Sequence, residues 1–178
     1  MNFFIQFLTY FRILSAPLIF ILVTFFDYYG WALFMFFIAS ISDYWDGFLA
    51  RKFSLESEIG AILDPIADKV LITFLILSLS LELSSLYIGF LGGLMLVREF
   101  WVGGLRDFNS RNRRMDATQV TFLAKVKTSI QFLTFASYLL GLYLNNSLII
   151  FLSNFFLFFA LIITLKTGLT YTVSTFKK

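Results

Sequence analysis

Neither cysteine nor histidine occurs anywhere in the 178 residues. Disulfides, thiolate nucleophiles, imidazole bases and zinc sites built from Cys and His are thereby excluded. Charge is also scarce: Asp, Glu, Lys and Arg make up 14% of the chain against 59% hydrophobic residues, and mean hydropathy is +0.84. Soluble domains carry about 25% charged residues, so composition excludes an ordinary soluble domain and points to a bilayer. No low-complexity linker, long repeat or second domain interrupts the chain, and residues 1–178 read as one membrane domain. The start lacks a basic leader and a small-residue cleavage pattern, and Arg12 breaks its first apolar run, so it is expected to stay in the mature protein. Any chemistry must rest on Asp, Glu, Lys, Arg or hydroxyl groups.

A membrane helix needs about 20 mainly apolar residues. Apolar runs fall at 7–26, 31–50, 59–81, 86–105, 126–144 and 147–170, which predicts an all-α bundle of six transmembrane helices. Residues 3–11 are expected to lie along the interface as a short helix before the first span, sparing Arg12 from lipid. The breaks at 27–30, 82–85 and 145–147 contain no Lys or Arg. Arg51, Lys52, Arg106, Arg111, Arg113 and Arg114 occupy the alternate breaks, and Lys125, Lys127, Lys166, Lys177 and Lys178 join that side. With Arg12, Lys69 and Arg98 near span ends, all 14 basic residues fit a cytoplasmic placement. Both termini are then expected inside, on the cytoplasmic face.

Into this apolar background the stretch SDYWDGFLARKFSLESEIGAILDPIADK sets four aspartates: Asp43, Asp46, Asp64 and Asp68. A carboxylate at the centre of a membrane helix costs roughly 2.5–3.5 kcal/mol on insertion scales, and bound cations would remove that penalty. At about 3.6 residues per turn, Asp43, Asp46, Gly47 and Ala50 share one helical face, as do Gly60, Asp64 and Asp68. Such hard oxygen ligands suit Mg²⁺ or Mn²⁺, and two ions about 3.5–4 Å apart suit phosphoryl chemistry. Gly47, Ala50 and Gly60 leave space for a nucleotide or diphosphate, Arg51 is placed to neutralise a phosphate oxygen, and Pro65 is expected to loosen its helix. The bland alternative is a set of helix-end carboxylates paired with Arg51, Lys52 and Lys69.

The order Asp43-x2-Asp46-Gly47-x2-Ala50-Arg51-x8-Gly60-x3-Asp64-x3-Asp68 resembles the full signature of the CDP-alcohol phosphatidyltransferases, matching at eight fixed positions. The resemblance implies that Asp43, Asp46 and Asp64 bind metal and that Asp68 binds metal and serves as base. It also implies transfer of a phosphatidyl group from a CDP-linked lipid to an alcohol, with release of CMP. The segments VREFWVGGLRDF and LAKVKTSIQF, and the early Leu8-Thr9-x2-Arg12 pattern with Pro17 beyond, are similar to bacterial phosphatidylglycerophosphate synthases. That likeness implies CDP-diacylglycerol and sn-glycerol 3-phosphate as substrates.

An anionic acceptor suits the second basic set, Arg98, Arg106, Lys125 and Lys127, which is expected to hold its phosphate. The alternative is ordinary positive-inside topology with headgroup contacts. Arg12 reads equally as a snorkelling residue and as a phosphate contact. Arg111, Arg113 and Arg114 are expected in a solvated loop, Glu56 and Glu58 on the short loop before the third span, and Glu99 beside a neighbouring base. The 25 phenylalanines lie within apolar runs, where lipid contact and packing explain them better than base stacking, so no nucleic acid is expected. Trp31, Trp45 and Trp101 read as interface anchors. Gly92, Gly93, Gly103 and Gly104 allow close helix approach, within the chain or in a homodimer. Two rivals stand beside the leading function: the same chemistry on serine, inositol phosphate or phosphatidylglycerol, and a divalent-cation transporter. Transport calls for acids distributed through the membrane depth, whereas these cluster toward one side.

Overall fold

The computed structural model describes residues 2–53, 58–112 and 122–177, with the side chains of 7–42, 45, 60, 62–112, 123 and 126–177. Six helices account for the expected runs: α1 (Asn2–Thr24), α2 (Tyr29–Phe53), α3 (Glu58–Glu82), α4 (Leu86–Arg111), α5 (Phe122–Tyr143) and α6 (Ser147–Phe176). No strand occurs among the described residues.

Three helices are long and apolar enough by themselves to cross a bilayer: α1 over Phe7–Thr24, α4 over Leu86–Arg111 and α6 over Ser147–Phe176. In α2 the apolar stretch is the shorter Tyr29–Ser42. In α3 the apolar sequence is interrupted by Asp64, Asp68 and Lys69, and in α5 by Lys127 and Gln131. The expected run of six therefore stands as six helices, of which three qualify as spans on length and composition.

The separate interfacial helix expected over residues 3–11 is replaced by one unbroken α1, with Pro17 inside it. Arg12 is kept from lipid by burial instead: its side chain is 0% exposed and faces α3. Arg106 and Arg111 extend α4 rather than occupying a break, and α6 continues to Phe176. Pro65 does not end α3.

Packing joins the helices in a closed cycle, α1–α2–α5–α6–α4–α3 and back to α1. Within it α1 packs against both α2 and α3. The shared core gathers Ile19, Phe36, Leu75, Met95, Leu139 and Leu157 from all six helices. Bilayer helices gain little from hydrophobic burial against one another, so small residues at crossings and interhelical hydrogen bonds carry the association. A Cβ on Gly92 would stand 2.5 Å from Ile76, and one on Gly103 would stand 2.9 Å from Lys69 Nζ, so both glycines serve the α3–α4 contact. Gly93 and Gly104 face open space. Phenylalanines such as Phe90, Phe151 and Phe155 point outward, as lipid contact requires.

Three tight turns make α1–α2, α3–α4 and α5–α6 into hairpins. Each holds one residue of positive φ: Asp27 at 55°, Ser84 at 46° and Asn145 at 49°. In two of them the next residue closes a Schellman-type bond, Ser85 N to Ser80 O and Asn146 N to Gly141 O, both 2.9 Å, and then caps the following helix with its side chain. Asp and Asn tolerate the left-handed region better than Ser does. Ser84→Gly is expected to stabilise the protein by about 0.5–1 kcal/mol, read as a higher thermal midpoint in detergent. A lower midpoint would mean that the Ser84 side chain contributes more than its backbone conformation costs.

Candidate active site

Asp64 and Asp68 stand one turn apart on α3, and α1 supplies a donor to each. Thr9 Oγ1 donates to Asp64 Oδ1 at 2.9 Å, and Arg12 Nη1 donates to Asp68 Oδ1 at 2.9 Å. Thr9 and Arg12 are themselves three apart on one face of α1, so donors and acceptors alike stand about one helical turn apart. The Arg12–Asp68 pair is lopsided: the guanidinium is fully buried while the Asp68 side chain is 51% exposed. Asp68 therefore stays half exposed while a buried cation holds one of its oxygens. Arg12 is thus no snorkelling residue: its guanidinium is buried and holds a carboxylate of α3.

Lys69 follows Asp68 directly in α3. Its ammonium lies 5.2 Å from the centre of the Phe100 ring on α4. Gly60 is half-buried on α3, one turn before Asp64. Asp43, Asp46, Gly47, Ala50 and Arg51 belong to helix α2, but their side chains lie outside the described residues, as do those of Lys52 and Lys125. The meeting of four carboxylates from α2 and α3 therefore falls outside them too, and no group of three metal-ligating side chains occurs among the described residues. The half of the donor set that is described fits a hard divalent cation: two carboxylates on one helical face, each already oriented through one oxygen by a neighbour.

A second polar cluster joins α4, α5 and α6. Glu99 Oε1 accepts from Lys127 Nζ at 2.5 Å and from Arg98 Nη1 at 3.1 Å. Arg98 Nη2 donates to Thr167 Oγ1 at 2.6 Å. The guanidinium carbons of Arg98 and Arg106 lie 6.0 and 5.8 Å from the centre of the same ring, Tyr171. Charge-assisted bonds of this kind are about twice as strong as neutral ones, and burial forbids leaving such cations unanswered. Three of the four residues expected to hold an acceptor phosphate are thus brought together, with Lys125 outside the described set.

Below this cluster α4 and α6 are laced by Trp101 Nε1 to Thr172 Oγ1 at 2.9 Å and Asn109 Nδ2 to Thr175 Oγ1 at 2.8 Å. Trp101 is therefore a lacing residue as well as an exposed aromatic. Sequence reading missed Thr9, Thr167 and Tyr171. Thr9 carried a signal, since it sits in the Leu8-Thr9-x2-Arg12 pattern at helical spacing from Arg12. The threonines of α6 carried none, because hydroxyls in an apolar helix more often bond their own backbone.

Residues 5–167 match the family model described as CDP-alcohol phosphatidyltransferase. Relatives named CDP-diacylglycerol–glycerol-3-phosphate 3-phosphatidyltransferase include those of Salmonella choleraesuis (strain SC-B67), 33% identical over 133 residues, and Escherichia coli (strain K12), 31% identical over 133 residues, each alignment covering 72% of both chains. That of Sodalis glossinidius (strain morsitans) is 31% identical over 136 residues, 74% of both chains. The transporter reading is set aside by this match, and the protein is a transferase enzyme of the CDP-alcohol phosphatidyltransferase family.

Proposed function

We propose that the enzyme transfers a phosphatidyl group from CDP-diacylglycerol to sn-glycerol 3-phosphate, giving phosphatidylglycerophosphate and CMP. The observation that carries the acceptor choice is the convergence of Arg98 and Lys127 on a single carboxylate oxygen, with Arg106 stacked on the adjoining Tyr171. Cations gathered at one point inside an apolar bundle suit a phosphate monoester, whose charge of about −1.5 to −2 exceeds that of the single carboxylate of serine. The printed names of the relatives support the same pair of substrates.

In this reading Asp43, Asp46, Asp64 and Asp68 hold Mg²⁺ or Mn²⁺, with two ions in the site. Bound there, the metal would offset charge on the diphosphate and on departing CMP. Gly47, Ala50, Arg51 and Gly60 receive the CDP-lipid. Arg98, Arg106, Lys125 and Lys127 hold the acceptor phosphate and leave its distal hydroxyl toward Asp68. The carboxylate of Asp68 takes the hydroxyl proton as the oxygen bonds to the phosphorus of the phosphatidyl group and the bond from that phosphorus to CMP breaks. Arg12 fixes the orientation of Asp68, and Thr9 that of Asp64. The attack is direct, with no covalent enzyme intermediate, so kinetics are sequential. A phosphatidyl-enzyme adduct trapped without acceptor would contradict this. All six helices span a bacterial cytoplasmic membrane in this reading, with both termini and the site on the cytoplasmic side where the basic residues collect.

The decisive test presents purified protein, CDP-diacylglycerol and Mg²⁺ or Mn²⁺ with glycerol 3-phosphate, serine, inositol phosphate and phosphatidylglycerol in turn. CMP release with glycerol 3-phosphate is expected, and release with another acceptor alone would overturn the choice. Lys127→Ala is expected to raise the acceptor KM by about tenfold or more while leaving that for CDP-diacylglycerol near its starting value. An unchanged acceptor KM would return Lys127 to a purely topological role.

A further inference from the structure

The cations assigned to the acceptor phosphate are already answered by an anion of the protein itself. Glu99 places one carboxylate oxygen between Lys127 Nζ and Arg98 Nη1. Arg98 is the fixed member of the trio: it is 6% exposed, its Nη2 donates to Thr167, and its stem lies against Gly168, where a Cβ would stand 3.0 Å from both Cγ and Nε. Lys127 reaches the same point from another helix, α5, on a flexible four-carbon stem. The Glu99 side chain is 17% exposed, more than that of Arg98 or Lys127, so the carboxylate stands on the open side of the cations it binds.

Charge balance gives this arrangement a purpose. Among the described side chains the site carries Arg98, Arg106 and Lys127 against Glu99, three positive charges less one negative, or a net +2. A phosphate monoester near neutral pH carries about −1.5 to −2, so its entry brings the site close to neutrality. The same phosphate remains on the product, because the reaction consumes only the distal hydroxyl of the acceptor. A site with no anion of its own would keep that product bound.

We propose that Glu99 is a displaceable counter-anion: it occupies Arg98 and Lys127 when the acceptor site is empty, yields them to the incoming phosphate monoester, and reclaims them as the product leaves. The proposal rests on the reading of Arg98 and Lys127 as the acceptor site. It makes Glu99 a residue that sets affinity and release without touching the reacting atoms.

The test compares Glu99→Gln with the parent enzyme in detergent. Removing a like charge beside a bound phosphate is expected to lower the acceptor KM by about tenfold. It is also expected to lower kcat several-fold, because product is held longer, and to strengthen inhibition by inorganic phosphate in parallel with the KM. A merely structural role would not lower KM and kcat together. Calorimetry with inorganic phosphate alone supplies a second readout, expected to show tighter binding in Glu99→Gln. Should the parent enzyme reject glycerol 3-phosphate, the acceptor assignment fails, while phosphate calorimetry still decides the role of Glu99. Should Glu99→Gln not fold, Glu99→Asp decides, since its carboxylate is withdrawn by one methylene; phosphate binding is expected to tighten, by a smaller factor. Weaker or unchanged phosphate binding in the variant that folds would overturn the proposal.

Discussion

Asp68→Asn is expected to reduce CMP release from CDP-diacylglycerol by about 10²–10⁴-fold, the range typical of a positioned proton acceptor. The amide keeps the size of the side chain and still accepts a hydrogen bond, but it neither takes the proton nor serves as an anionic ligand. Stability falls as well. The guanidinium of Arg12 is fully buried and faces Asp68 Oδ1 at 2.9 Å. A hydrogen bond between charged partners contributes about 1.5–3 kcal/mol, and an amide recovers only part of it. The thermal midpoint in detergent should therefore drop measurably, which separates Asp68 from a carboxylate that merely decorates a helix end. Turnover near the parent value would remove Asp68 from the chemistry.

Arg12→Met gives the mirror image. A buried ion pair broken at one side is costly when the charge left behind is itself buried. Here the survivor is Asp68, whose side chain is half exposed, so folding is expected to be largely kept. Catalysis is expected to suffer instead, with kcat falling about 10²-fold, because displacement of a reacting group by about 1 Å is enough for a loss of that size. The acceptor KM should move little, since Arg98 and Lys127 are held by Glu99 and Thr167 on other helices. Arg12→Lys should recover part of kcat. Loss of stability without loss of kcat in the folded fraction would assign Arg12 to packing alone.

The number of helices, their order and most of their boundaries were legible because apolar runs and short polar breaks alternate with little noise. The exceptions are instructive. Arg12 read as a break in the first run, yet α1 passes straight through it, since its charge is met by Asp68, a residue 56 positions away. No local pattern contains that partner. Arg106 and Arg111 read as loop residues because basic residues commonly follow a span, but α4 carries both, and Arg111 pairs with Asp107 one turn back at 2.9 Å. The aspartates of α3 were legible as carboxylates in an apolar run, at a spacing that gives Asp64 and Asp68 one face of a helix. Glu99 was expected beside one base and has two, and the second lies on another helix. Single side chains announced themselves; their partners across helices did not, because side-chain periodicity speaks only for the element that carries it.

The hairpin turns have one more bearing on the two polar centres. Thr9 and Arg12 meet residues of α3, Arg98 meets α6, and Lys127 meets α4, so every one of these bonds links a residue to a different hairpin from its own. Chain connectivity brings none of these partners side by side. Activity is consequently a report on complete assembly: a hairpin that inserts but docks out of register yields an inert protein rather than a slow one.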